Sequence, residues 1–139
     1  MAEFKFAADD QGPADWTLFL DDERFPTYDL HNVRIARDCQ EAIKTIELVG
    51  RPPAVISFDH DLGRDADGKD LPNGLWLLKW LIDQDLDGVI DLNKIHRIIV
   101  HSANPNGAAN IAGLWDGYSS SELKSGVKAE VKPRTSIYK

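Results

Sequence analysis

The chain has 139 residues, 42% of them hydrophobic and 28% charged. That is the balance of one globular domain and not of a disordered or fibrous segment. Asp and Glu number 23 against 16 Lys and Arg, and the formal charge of −7 argues against a surface that coats phosphate backbones.

The single cysteine, Cys39, excludes an internal disulfide and suits a reducing cytoplasm. No apolar run reaches the ~18–20 residues of a membrane span. The opening MAEFKFAADDQG lacks the basic and apolar regions of a secretory leader, so a cytoplasmic location is expected. Residues 1–15 read as a flexible or loosely docked lead-in with a short strand at 4–6, and 16–139 as one domain.

TLFL (17–20) is a short apolar run that stops at Asp21-Asp22. NVRIAR (32–37) alternates apolar and polar residues. CQEAIKTIELV (39–49) has helical spacing, with Asp38 as its N-cap and Gly50 and Pro52-Pro53 as its stop. AVISF (54–58) is apolar again and stops at Asp59-His60-Asp61. Residues 63–74 are polar and rich in turn formers, and are expected to be a mobile flap. LWLLKWLIDQDL (75–86) reads as an apolar helix capped by Asn73 and closed by Gly88. KIHRIIV (94–100) reads as a strand ending at His101-Ser102. Asn104-Pro105 opens a helix rich in small residues, and VKAEV (127–131) alternates before Lys132-Pro133.

Strands alternating with helices predict a mainly parallel α/β sheet. Strands covered on both faces are continuously apolar, while edge strands alternate. The second and fifth strands alternate and are expected at the edges. The resulting order is 2-1-3-4-5, a flavodoxin-like three-layer sandwich. In such sheets ligands bind beyond the carboxyl ends of the strands, where the strand order reverses. Asp21, Asp22, Asp59, His60, Asp61, His101, Ser102 and Lys132 all follow strands and would share that rim.

A lone Asp or His after a strand is ordinarily a turn former or a packed residue. Four neighbouring carboxylates, Asp21, Asp22, Asp59 and Asp61, repel one another unless a cation sits among them. Hard oxygen donors suit Mg²⁺, Mn²⁺ or Ca²⁺ rather than zinc. Asp65 to Lys69 hints at a calcium loop, but Trp76 stands where the bidentate Glu belongs. Cys39 reads as packing far from the rim. Trp76, Trp80 and Trp115 read as helix packing, with a partner face as the alternative.

These strand-end residues resemble the receiver domain of two-component signalling. The acidic pair Asp21-Asp22, the acceptor position Asp59, Ser102-Ala103 and Lys132-Pro133 match its marks in order. Two departures stand out. Only ERFPTYDLH (23–31) replaces the first helix, and six residues after Pro133 leave no room for the last one. DDERFP (21–26), SFDHDLG (57–63), NG (73–74) and HSANPNG (101–107) resemble a narrower group, the cyclic-phosphate processing receiver domains of bacteria and phages.

That resemblance implies action on a cyclic phosphate, such as a cyclic nucleotide or an RNA 2′,3′-cyclic end. A divalent cation, Mg²⁺ or Mn²⁺, would sit on Asp21, Asp22, Asp59 and Asp61. His101 or His60 would act as general acid or base, with Asp59 and Lys132 beside them. Arg24, Ser102, Asn104 and Lys132 would hold the phosphate. The alternatives are a signalling receiver phosphorylated on Asp59, and a non-enzymatic interaction protein with an unknown protein partner.

Overall fold

A computed structural model of the chain describes residues 15–26 and 30–132. The strand expected at 4–6, the flexibility of residues 1–14 and the segment after Lys132 lie outside the described residues. The elements are β1 (Thr17–Leu20), β2 (Val33–Ala36), α1 (Cys39–Val49), β3 (Val55–Phe58), α2 (Gly74–Leu86), β4 (Arg97–Val100), α3 (Pro105–Glu122) and β5 (Ala129–Val131). The sheet order is β2-β1-β3-β4-β5, and every pairing is parallel. The alternating strands are indeed the edges, because an edge strand needs less apolar cover.

Strand alternation sorts the sheet into two faces. One carries Leu18, Leu20, Ile56, Phe58, Ile98 and Val100, all 0% exposed. All three helices pack on it, through Ala42 and Ile46 of α1, Leu77, Leu78 and Leu81 of α2, and Ile111 and Trp115 of α3. The other face carries a smaller buried pair, Phe19 and Ile99, flanked by Leu30, Val33, Ile35 and Val55. Among the described residues no helix lies on that second face, and none lies between β1 and β2.

Helix starts follow the sequence signals. Asp38, Asn73 and Asn104 each cap a helix by accepting a backbone N–H with the side chain. Gly50 ends α1 in the left-handed conformation, with φ 84°. Two elements differ from expectation. β4 begins only at Arg97, because Leu92–Lys94 form a 3₁₀ turn that Asp91 caps, so Lys94 and His96 precede the strand. β5 is limited to Ala129–Val131, because the Val127 carbonyl accepts instead from the Trp115 Nε1–H and the Ser119 hydroxyl of α3.

All strands being parallel, every helix points its N-terminus at the rim formed by the strand carboxyl ends. Cys39 is therefore not remote from that rim. Its buried thiol donates to the Pro72 and Asn73 carbonyls just before α2, and burial pushes its pKa up to about 12.

The Asp38→Ala variant should lose about 1 kcal/mol of stability, the usual cost of an N-cap. Urea denaturation measures it, with an unchanged slope expected because the packed face is untouched.

Candidate functional site

The sheet register places the rim. Leu20, Phe58, Val100 and Val131 lie side by side at the ends of β1, β3, β4 and β5. The ladder then runs one residue further. Asp59 N–H bonds the Leu20 carbonyl at 2.9 Å, His101 N–H the Phe58 carbonyl at 2.9 Å, and Lys132 N–H the Val100 carbonyl at 2.8 Å. Asp21, Asp59, His101 and Lys132 thus form one row, on the face away from the helices.

Within that row Asp21 and His101 are both 0% exposed. Asp21 Oδ1 accepts the backbone N–H groups of Glu23 and Arg24 at 3.0 and 2.9 Å, which shapes the turn after β1. Asp21 Oδ2 lies 3.1 Å from His101 Nε2. His101 Nδ1 lies 2.6 Å from the hydroxyl of Ser57, also fully buried, and the ring stacks on Phe19 with centroids 4.6 Å apart. Burial lowers the His101 pKa against the opposing pull of Asp21, which favours the neutral ring. A carboxylate only accepts, so the ring proton sits on Nε2 and Nδ1 accepts from Ser57. Both nitrogens are then committed.

Asp59 is 5% exposed. Burial, with Asp21 and Asp22 as like charges, pushes its pKa up to about 7, against a hydrogen bond from Ser102. Asp22, half-buried, is also raised, first by burial and then by Asp21. Donor atoms of Asp21, Asp59 and His101 lie within 4.8 Å of one another. A cation there would find oxygen donors from Asp21 and Asp59 with Asp22 at the edge, and would relieve the crowding that raises the Asp59 pKa.

His60 and Asp61 leave that row. His60 Nδ1 lies 2.7 Å from Asp61 Oδ1, and Asn104 Nδ2 donates to the same carboxylate at 3.3 Å. The Asp61 side chain is 67% exposed and that of His60 only 14%. Asn104 also accepts the Gly107 N–H at 3.0 Å, so its amide joins the α3 cap to Asp61. The rim makes two glycines necessary here. A Cβ on Gly107 would meet the His60 ring at 2.4 Å, and one on Gly74 would meet the Asp59 carbonyl at 2.0 Å. His60 and Asp61 line a groove of about 410 Å³ with Arg64, Asp70 and Asn73.

The cationic candidates are partly engaged. Arg24 Nη2 pairs with Glu23 at 3.3 Å, and its charge is felt at both Asp22 and His101. Lys132 Nζ lies 3.5 Å from Glu130, which also accepts from Nε and Nη2 of Arg97. Ser102 accepts the Asn104 N–H at 3.0 Å and, with Lys132, borders a second, larger hollow. The expected metal set of Asp21, Asp22, Asp59 and Asp61 is thus divided: the first three crowd the rim, while Asp61 turns to His60.

Sequence reasoning passed over Ser57 and Arg37. Ser57 had a signal, as a hydroxyl inside the otherwise apolar β3. Arg37 had none. Its guanidinium donates to the carbonyls of Asp21 and Arg24 and lies 4.7 Å from the Phe25 ring centroid, stapling the turn after β1.

A family model described as the cyclic-phosphate processing receiver domain matches residues 16–117. The chain belongs to that family. No curated protein and no solved structure matches the chain. The matched segment of this cyclic-phosphate processing receiver domain holds the buried Asp21–His101–Ser57 chain, the His60–Asp61 pair and both close-packed glycines. It stops before Lys132. Among the described residues no helix is long and apolar enough to cross a membrane.

A carboxyl whose pKa rises on folding favours the fold most at low pH. Its contribution is complete below the unfolded value of ~3.9 and disappears as pH rises through about 7. Between pH 4 and 8, without divalent cation, wild type should therefore lose stability relative to Asp59→Asn. Parallel urea melts measure the difference, and Mg²⁺ should narrow it at pH 8. A second expectation concerns Gly107→Ala. It should displace the His60 ring and lower the melting temperature, read by calorimetry and by the His60 ring signals in NMR.

Proposed function

We propose that this domain hydrolyses a cyclic phosphodiester at the rim, with His60 as the group that exchanges the proton. The observation that carries this reading is the His60–Asp61 pair, 2.7 Å apart and held by Asn104, directly after the crowded Asp59. The family's association with cyclic phosphates supports the substrate class.

Hydrolysis adds water across one ester bond. The water oxygen bonds phosphorus and gives up a proton. The ester oxygen leaves and takes one up. Asp61 accepts from His60 Nδ1–H, which leaves the lone pair on Nε2 to take the water's proton. The Lys132 ammonium is the rim group suited to return a proton to the leaving oxygen, and Arg24 is suited to clamp phosphate oxygens. Asn104 keeps Asp61, and hence His60, in one orientation. The N-terminus of α3 adds positive charge toward bound phosphate.

In this reading His101 does not exchange protons with the substrate. It holds Asp21 in place, with Ser57 fixing its tautomer. Asp21, Asp59 and Asp22 would hold a Mg²⁺ or Mn²⁺ ion, which when bound supplies positive charge for the phosphoryl oxygens.

A second reading keeps Asp59 as a phosphoryl acceptor, and the Ser102 hydroxyl bonded to it favours that reading. The two separate in one experiment. The protein is incubated with a 2′,3′-cyclic nucleotide plus Mg²⁺ or Mn²⁺, and separately with a small phosphodonor. Hydrolysis should appear and fall by ~10²–10⁴-fold in His60→Ala. Absence of turnover, together with a phosphoadduct that disappears in Asp59→Asn, would favour the acceptor reading.

A further inference from the structure

A second groove of about 400 Å³ shares Asp70, Leu71 and Asn73 with the groove at His60 and runs on to Trp76 and Lys79 on α2. Trp76 is 41% exposed, whereas Trp16 and Trp115 are 0% exposed and Trp80 packs against the core. Among the described residues its indole makes no hydrogen bond, while its backbone N–H donates to the Asn73 side chain. Lys79 lies one turn further along α2, also exposed.

We propose that these two adjoining grooves form a nucleoside subsite, in which a base stacks on the Trp76 indole while its phosphate sits by His60. The inference rests on the phosphate chemistry proposed for His60 and extends it to the rest of the substrate. An exposed indole offers a flat π surface to a flat base, and such stacking is worth ~1–3 kcal/mol. Lys79 supplies a cation beside it for a further phosphate or a sugar hydroxyl. A purely apolar partner would leave that ammonium unused. Each groove also lies in the range of ~300–1,000 Å³ that suits a small ligand.

The test uses the full chain with Mg²⁺ and two probes that it cannot cleave, adenosine 2′-monophosphate and inorganic phosphate. Calorimetric titration gives both affinities for wild type, Trp76→Ala and Trp76→Phe. Wild type should bind the nucleotide about tenfold or more tightly than phosphate. Trp76→Ala should erase that advantage and leave phosphate affinity unchanged, and Trp76→Phe should keep most of it.

The subsite is overturned if wild type binds the nucleotide no better than phosphate, or if Trp76→Ala binds it as tightly as wild type. Circular dichroism checks the fold of each variant, which an exposed position should not disturb. Because neither probe is hydrolysed, the two readings fail separately. Trp76-dependent nucleotide binding without turnover of a cyclic nucleotide would remove the hydrolytic reading and leave the subsite. Turnover with Trp76-independent nucleotide binding would do the reverse.

Discussion

A carboxyl group with no exposure at all, Asp21, is the constraint around which the rim is built. Taking a carboxylate out of water is costly unless each of its oxygens finds a donor. The chain supplies those donors from two places and braces one of them from a third. The turn after β1 gives two backbone N–H groups, β4 gives His101, and β3 gives Ser57 to orient His101. Several otherwise odd residues follow from this one requirement. A serine interrupts the apolar run of β3, and a histidine extends the ladder beyond β4. Arg37 fastens the turn whose N–H groups face the carboxylate.

Close packing carries the same constraint outward. Gly74 lets α2 start against the Asp59 carbonyl, and Gly107 lets α3 start against the His60 ring. Larger residues at either position would push a helix N-terminus away from the rim. Asn104 then ties the α3 cap to Asp61. His60 and His101 consequently sit in different surroundings. His101 is sealed between Phe19, Ser57 and Asp21, while His60 is braced from behind and faces a groove.

Charge is distributed in keeping with this division. The overall charge of −7 argues against indiscriminate attraction to nucleic acid. Burial and the crowding of Asp21, Asp22 and Asp59 raise the Asp59 pKa, so added positive charge is favourable at the rim. Arg24, Lys132 and three helix N-termini lie around it. Positive charge is thus gathered around the most crowded part of an acidic protein.

The sequence by itself determined the order of the strands, their parallel direction, the three helix caps and the strand-end position of nearly every rim residue. Periodicity and capping are local properties, and the apolar pattern reports how many faces of each strand are covered. Family membership was also legible, because its motifs are short and contiguous. Only the tertiary structure decided which of these residues meet. It sent Asp61 to His60 and not into the carboxylate cluster, sealed His101 against Ser57, brought Cys39 to the rim and left Trp76 outside the core. Those outcomes depend on register between strands, on the depth at which each helix starts, and on contacts between residues up to 80 positions apart. A linear pattern specifies which face a residue takes, whereas its partner is chosen by the three-dimensional packing of elements that the pattern describes one at a time.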